Sequence, residues 1–147
     1  MTRNFATTTS IFLTIIAVMF GPTPHSYAED DSLIEAVSDY LMFQEYQSGI
    51  ILPQQIDEAI FHDVLFVDVR DEDSFHDATI PGAIHIEWRE IMERRDEIAD
   101  APKVILFCNT GAISAQATFA MRLAGYDHVV VLQGGFDNWQ KNAGYHP

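Results

Sequence analysis

Short continuous apolar runs alternate along this chain with longer stretches whose apolar residues recur at helical spacing. The runs are Ile50-Ile51-Leu52, Val64-Leu65-Phe66-Val67, Ile84-His85-Ile86, Val104-Ile105-Leu106-Phe107 and Val129-Val130-Val131-Leu132. An apolar run without internal alternation is what a strand buried on both faces of a parallel sheet requires. Between the runs the pattern predicts a helix opened by Pro53 over Gln54 to Phe61 and a helical turn from Asp71 to His76. It also predicts a charged helix from Glu87 to Ala99, a helix over Ala112 to Leu123, and a last short helix carrying Phe136 and Trp139 after Gly134-Gly135. Strands alternating with helices imply right-handed crossovers, and so an α/β fold with a parallel sheet of about five strands and helices on both faces.

Residues 29 to 48 form an acidic amphipathic segment ahead of the first strand. Leu33, Val37, Tyr40, Leu41 and Tyr46 lie roughly on one face, and Gly49 is expected to stop the helix. The first 28 residues read differently. Arg3 precedes an apolar stretch from Ile11 to Phe20, Gly21, Pro22 and Pro24 break it, and Ser26-Tyr27-Ala28 presents small residues where signal peptidase cuts. Residues 1–28 are therefore expected to be a signal peptide, with the mature chain starting at Glu29 and exported to a bacterial periplasm. No stable membrane span remains after cleavage, and retention as an anchor is the alternative. Residues 29–48 are then an acidic helical extension and residues 49–147 the domain proper.

All 22 acidic residues follow residue 28, together with seven of the eight basic ones, so the mature charge is 7 − 22 = −15. Such a surface repels nucleic acid and anionic lipid, and no basic run offsets it. The histidines His62, His76, His85, His128 and His146 lack close metal-ligand spacing, and no glycine-rich nucleotide fingerprint is present. Neither a metal nor a cofactor is implied.

Cys108 is the only cysteine. It stands where the run Val104 to Phe107 gives way to the small-polar turn Asn109-Thr110-Gly111, directly before a helical pattern. Ligands of open α/β sheets bind at the carboxyl ends of strands, and the N–H groups of a turn and first helical turn favour thiolate over thiol. A lone cysteine is more often a small buried hydrophobe. Its position at this junction, and its survival unpaired in a chain read as exported, shift the reading toward chemistry.

Several stretches together resemble a single-domain rhodanese, of the sulfurtransferase family. They are Val67-Asp68-Val69-Arg70, Ile80-Pro81-Gly82-Ala83, Cys108-Asn109-Thr110-Gly111, Leu123-Ala124-Gly125-Tyr126, and Leu132-Gln133-Gly134-Gly135-Phe136-Asp137-Asn138-Trp139, in the family's order. The chain looks most like the small exported members of the phage-shock-protein-E type. The resemblance implies that Cys108 attacks the outer sulfur of a donor such as thiosulfate and holds it as a persulfide. It then passes the sulfur to cyanide or a thiol. It further implies that the loop of Asn109, Thr110, Gly111, Ala112, Ile113 and Ser114 cradles the anionic donor. Arg70 either binds substrate or pairs with Asp68 or the acids at 71 to 73, and Asp68 is read as structural support.

Two places depart from the family's pattern. Many active members have C-x-x-G-x-R, where this chain has Ile113 in the last place, and Ala78-Thr79 replaces the usual Gly-His, an exchange expected to alter only a turn. The first departure puts thiosulfate in doubt as the natural donor and keeps a second reading open, a catalytically weak module that binds a protein partner. A phosphatase of the same fold would need C-x5-R, and Ser114 occupies that place.

Overall fold

A computed structural model of the chain describes residues 31–147. The expected signal peptide and the first two residues of the extension lie outside the described residues. Five parallel strands form one sheet: β1 (Ile50–Ile51), β2 (Leu65–Asp68), β3 (Ile84–His85), β4 (Val104–Phe107) and β5 (Val129–Leu132), in the order β1-β5-β4-β2-β3. Val67 pairs with Leu106, and Leu106 in turn with Val131, so β4 is central. The α/β class and the five-stranded parallel sheet agree with the sequence pattern.

Side chains of a strand alternate between faces, and here the alternation sorts them into two cores. Ile105 and Phe107 pack with Phe61, Phe66, Leu132, Phe136 and Trp139 on one face. Val104, Leu106 and Cys108 pack with Val67, Ile91, Ile98, Ala117 and Met121 on the other. The first face is covered by α2 (Glu58–Asp63) and α5 (Gly135–Asn142), the second by α4 (Ala112–Leu123) and the segment from Ile86 to Ile98. Parity along β4 thus puts the thiol on the α4 side.

Three helical expectations need correction. The helix from Gln54 to Phe61 is instead a 3-10 turn, Pro53–Gln55, followed by α2. Ile56 between them is extended and fully buried, and the Asp57 carboxylate caps α2 by accepting from the Ile60 N–H at 2.9 Å. Glu87 to Ala99 is not an α-helix but a series of turns with a 3-10 turn at Arg95–Glu97. Its backbone bonds run mostly three residues back, from Glu90 to Glu87, Glu93 to Glu90 and Glu97 to Arg94, while Ile86, Ile91 and Ile98 anchor it in the core. Finally, among the described residues the acidic extension is helical over α1 (Asp31–Met42), and turns lead on to Gly49. Only Val37 and Tyr40 of its expected apolar face are half-buried, while Leu33, Leu41 and Tyr46 are exposed.

The extension is fixed to α4 through Arg122. That guanidinium donates to the Tyr40 hydroxyl at 3.2 Å, Gln44 Oε1 at 3.2 Å and Ser48 Oγ at 2.9 Å, while Tyr40 meets Phe119 edge-on at 5.5 Å. α3 (Glu72–Asp77) starts at Asp71, whose carboxylate accepts from the Ser74 N–H at 2.9 Å.

Candidate active site around Cys108

Cys108 follows the central strand directly and is 3% exposed. Its Sγ accepts from the Gly111 N–H at 3.2 Å and lies 3.5 Å from the Ser114 hydroxyl. Burial pushes the thiol pKa up; the Ser114 hydroxyl and the N–H groups of Ser114, Gly111 and Ile113 together outweigh it, leaving the pKa below the ordinary value. A side-chain hydroxyl thus joins the expected backbone donors in stabilising the thiolate.

The loop can curl around the sulfur because Gly111 adopts φ +94°, a conformation that side chains resist. Behind it, the N-terminus of α5 clamps the strand end: the Phe136 N–H donates to the Cys108 carbonyl at 2.8 Å and that of Asp137 to Asn109 at 3.0 Å. Gly135 permits this approach. A Cβ there would overlap the Cys108 carbonyl oxygen, and its φ is +60°.

A second bracket comes from the end of β2. Arg70, 7% exposed, donates Nε to Asp68 Oδ1 at 2.9 Å, Nη2 to Asp68 Oδ2 at 2.6 Å and to the Ala78 carbonyl at 2.5 Å, and Nη1 to Asn109 Oδ1 at 2.9 Å. Its guanidinium also lies 4.8 Å from the centre of the Phe136 ring. Asp68 is fully buried and accepts a further bond, at 2.8 Å, from Thr79 Oγ1. Thr79 therefore does more than alter a turn: it satisfies the carboxylate that holds Arg70, and Arg70 holds the loop through Asn109.

A cavity of about 360 Å³ opens over the thiol, lined by Arg70, Asp71, Glu87, Trp88, Arg89, Cys108, Asn109, Thr110, Ala112 and Ile113. Of the residues singled out from the sequence, Cys108, Asn109, Thr110, Ala112, Ile113 and Arg70 share this cavity. Gly111 and Ser114 touch the sulfur without lining the cavity, and Asp68 stands behind Arg70. Sequence reasoning missed Asp71, Glu87, Trp88 and Arg89. Nothing in the pattern distinguished the last three from the solvent face of a charged helix.

Comparison with known proteins fits this geometry. The profile of the rhodanese-like domain family matches residues 52–142, more than half of the chain. A protein of Allochromatium vinosum named sulfurtransferase is 34% identical over 80 residues, covering 54% of this chain and 75% of that protein. Thiosulfate sulfurtransferase GlpE of Coxiella burnetii is 28% identical over 85 residues, covering 58% and 77%. The crystal structure of a rhodanese-related protein from Thermoplasma volcanium superposes with a TM-score of 0.58 at 22% identity, over 66% of this chain and 93% of that one. On its profile match and its five-stranded parallel architecture, the chain belongs to the rhodanese-like domain family.

Proposed function

We propose that the protein is a sulfurtransferase that carries a sulfane sulfur on Cys108. The observation that carries this reading is the Sγ at the floor of an open cavity, held by the Gly111 N–H and the Ser114 hydroxyl. The Cys108 thiolate attacks the outer sulfur of a small anionic donor such as thiosulfate. The bond between the two donor sulfurs breaks, and sulfite leaves with its electron pair. The resulting persulfide is then attacked at its outer sulfur by cyanide, giving thiocyanate, or by a thiolate, giving a new persulfide, and the Cys108 thiolate returns. Atoms and charge balance with no general base, which suits a site whose hydrogen-bond donors lower the pKa of its nucleophile. The names of the similar proteins from Allochromatium and Coxiella support the same chemistry, and residues 1–28 support export.

Intact mass tests the proposal. Incubation with thiosulfate should add one sulfur atom, and cyanide should remove it as thiocyanate. Cys108→Ser should do neither, and turnover surviving that substitution would overturn the assignment. A second reading, a protein-binding module, draws on the exposed Leu33, Ile34, Leu41 and Met42 of α1. A wild-type chain that takes up no sulfur would favour it.

A further inference from the structure

The reading of Cys108 as a nucleophile toward a small anion leaves open which group attracts that anion, since the loop from 109 to 114 contains no basic residue. Two cations line the cavity, Arg70 and Arg89. Arg70 is buried, and its Nε, Nη1 and Nη2 are all engaged, with Asp68, Asn109 and the Ala78 carbonyl. Arg89 is 74% exposed. It meets Glu87 along one edge only, Nε lying 3.0 and 3.1 Å from the two carboxylate oxygens and Nη2 3.0 Å from Oε1. The other edge, between Nη1 and Nη2, has no partner among the described residues. It is a planar two-donor fork of the kind that grips oxyanions.

We propose that Arg89 draws a small oxyanionic donor into the Cys108 cavity through its free guanidinium edge, with Glu87 as its resting counter-ion. This rests on the sulfur-transfer reading for the identity of the donor. It extends that reading by placing the recruiting charge on the segment after β3 instead of in the loop. The formal charges on the cavity wall explain why one residue can decide the matter. Arg70 and Arg89 offset Asp71 and Glu87 and leave the Cys108 thiolate as the unbalanced charge, so losing Arg89 makes the wall more negative and neutralising Glu87 makes it less so. Arg89 is a positioning residue: it selects what arrives, and the loop performs the chemistry.

The test uses three methanethiosulfonates on the full chain, one bearing an anionic sulfonatoethyl group, one a neutral methyl and one a cationic trimethylammonioethyl. In each, the Cys108 thiolate attacks the sulfenyl sulfur, a disulfide forms and methanesulfinate leaves with the electron pair, so the rate reports access by charge alone. Arg89→Gln should lower the ratio of anionic to neutral rates about fivefold, the effect of one unit charge near contact in a solvated site. Glu87→Gln should raise that ratio, the cationic reagent should move oppositely in both variants, and Arg89→Lys should keep most of the wild-type value. Lys141→Gln removes the same charge from a residue that does not line the cavity and should change nothing. With thiosulfate, Arg89→Gln should raise KM and spare kcat. A ratio unmoved in Arg89→Gln, or moved equally in Lys141→Gln, would overturn the proposal while leaving sulfur uptake intact. If instead the charge ratios behave as stated and no sulfur is gained from thiosulfate, the sulfur-transfer reading falls and anion recruitment by Arg89 stands.

Discussion

The Ser114 hydroxyl lies 3.5 Å from Cys108 Sγ and 3.2 Å from the Gly111 carbonyl oxygen. A hydroxyl has one proton to give, so it can serve the carbonyl while the sulfur is a thiol and turn to the sulfur when the thiolate forms. The lowered thiol pKa depends on that second arrangement.

Ser114→Ala should therefore raise the pH midpoint of Cys108 alkylation and slow the reaction at neutral pH by about tenfold, the worth of a hydrogen bond to a charged group. The wild-type midpoint should lie below the free-cysteine value of about 8.5. The linked stability has a definite sign. A group whose folded pKa is depressed adds stability that is present above the unfolded pKa and lost as pH falls through the folded one. Denaturation of wild type and Ser114→Ala across that window should converge toward the acid side. A midpoint unchanged by the substitution would remove Ser114 from the account.

Arg70 and Asp68 form a buried, doubly bonded pair. Arg70→Met leaves the carboxylate buried with only Thr79 and the Arg70 backbone N–H as donors, and should cost about 3–5 kcal/mol in chemical denaturation. Replacing both, Asp68→Leu with Arg70→Met, should recover part of that loss. Should Arg70→Met prove as stable as wild type yet bind donor poorly, Arg70 acts on substrate and the bracing role fails.

Ile113 lines the cavity five residues after Cys108, in a loop that carries no basic residue. Ile113→Arg should lower KM for thiosulfate about tenfold through a charge-assisted contact, whereas Ile113→Gln should not. Steady-state kinetics at fixed ionic strength decide between charge and mere polarity.

Gly135→Ala places a methyl group against the Cys108 carbonyl oxygen at a φ of +60°. Relief requires α5 to move away from the loop, breaking the Phe136 and Asp137 N–H bonds. We expect lower stability together with slower sulfur loading, read by thermal melts and intact mass. Loss of stability alone, with loading per folded molecule unchanged, would show that the clamp does not shape the thiol's surroundings.

What could be read from the sequence follows from how local its cause is. β4, β5 and α4 match the bounds set by apolar runs and helical spacing, because strands buried on both faces have no polar side to blur them. The loop was legible for the same reason: a single cysteine between such a strand and such a helix has few places to go. Glu87 to Ala99 misled because Glu90 and Arg94, four apart, imitate a helical ion pair, and in the fold they do meet at 3.3 Å. Burial of Ile91 and Ile98 overrode that local pattern. Arg89 was invisible as a cavity residue for a related reason. Its place on the wall of the Cys108 cavity is created by the β2–β3 pairing and the turns that follow, which no spacing in the chain announces.

The near-complete enclosure of Cys108 has a consequence for the order of encounters during turnover. Cys108 is 3% exposed at the floor of its cavity, a setting in which a small reagent reaches the sulfur more easily than the disulfide of another protein, whose displacement must be in line. Sulfur loading changes that reach, because a persulfide sets its terminal atom about 2 Å beyond the cysteine sulfur. Directed into the cavity, that atom stands nearer the mouth than the thiol ever does. On the sulfur-transfer reading proposed above, a large acceptor would then reach the loaded cysteine sooner than the empty one, a size filter opened by the cargo itself.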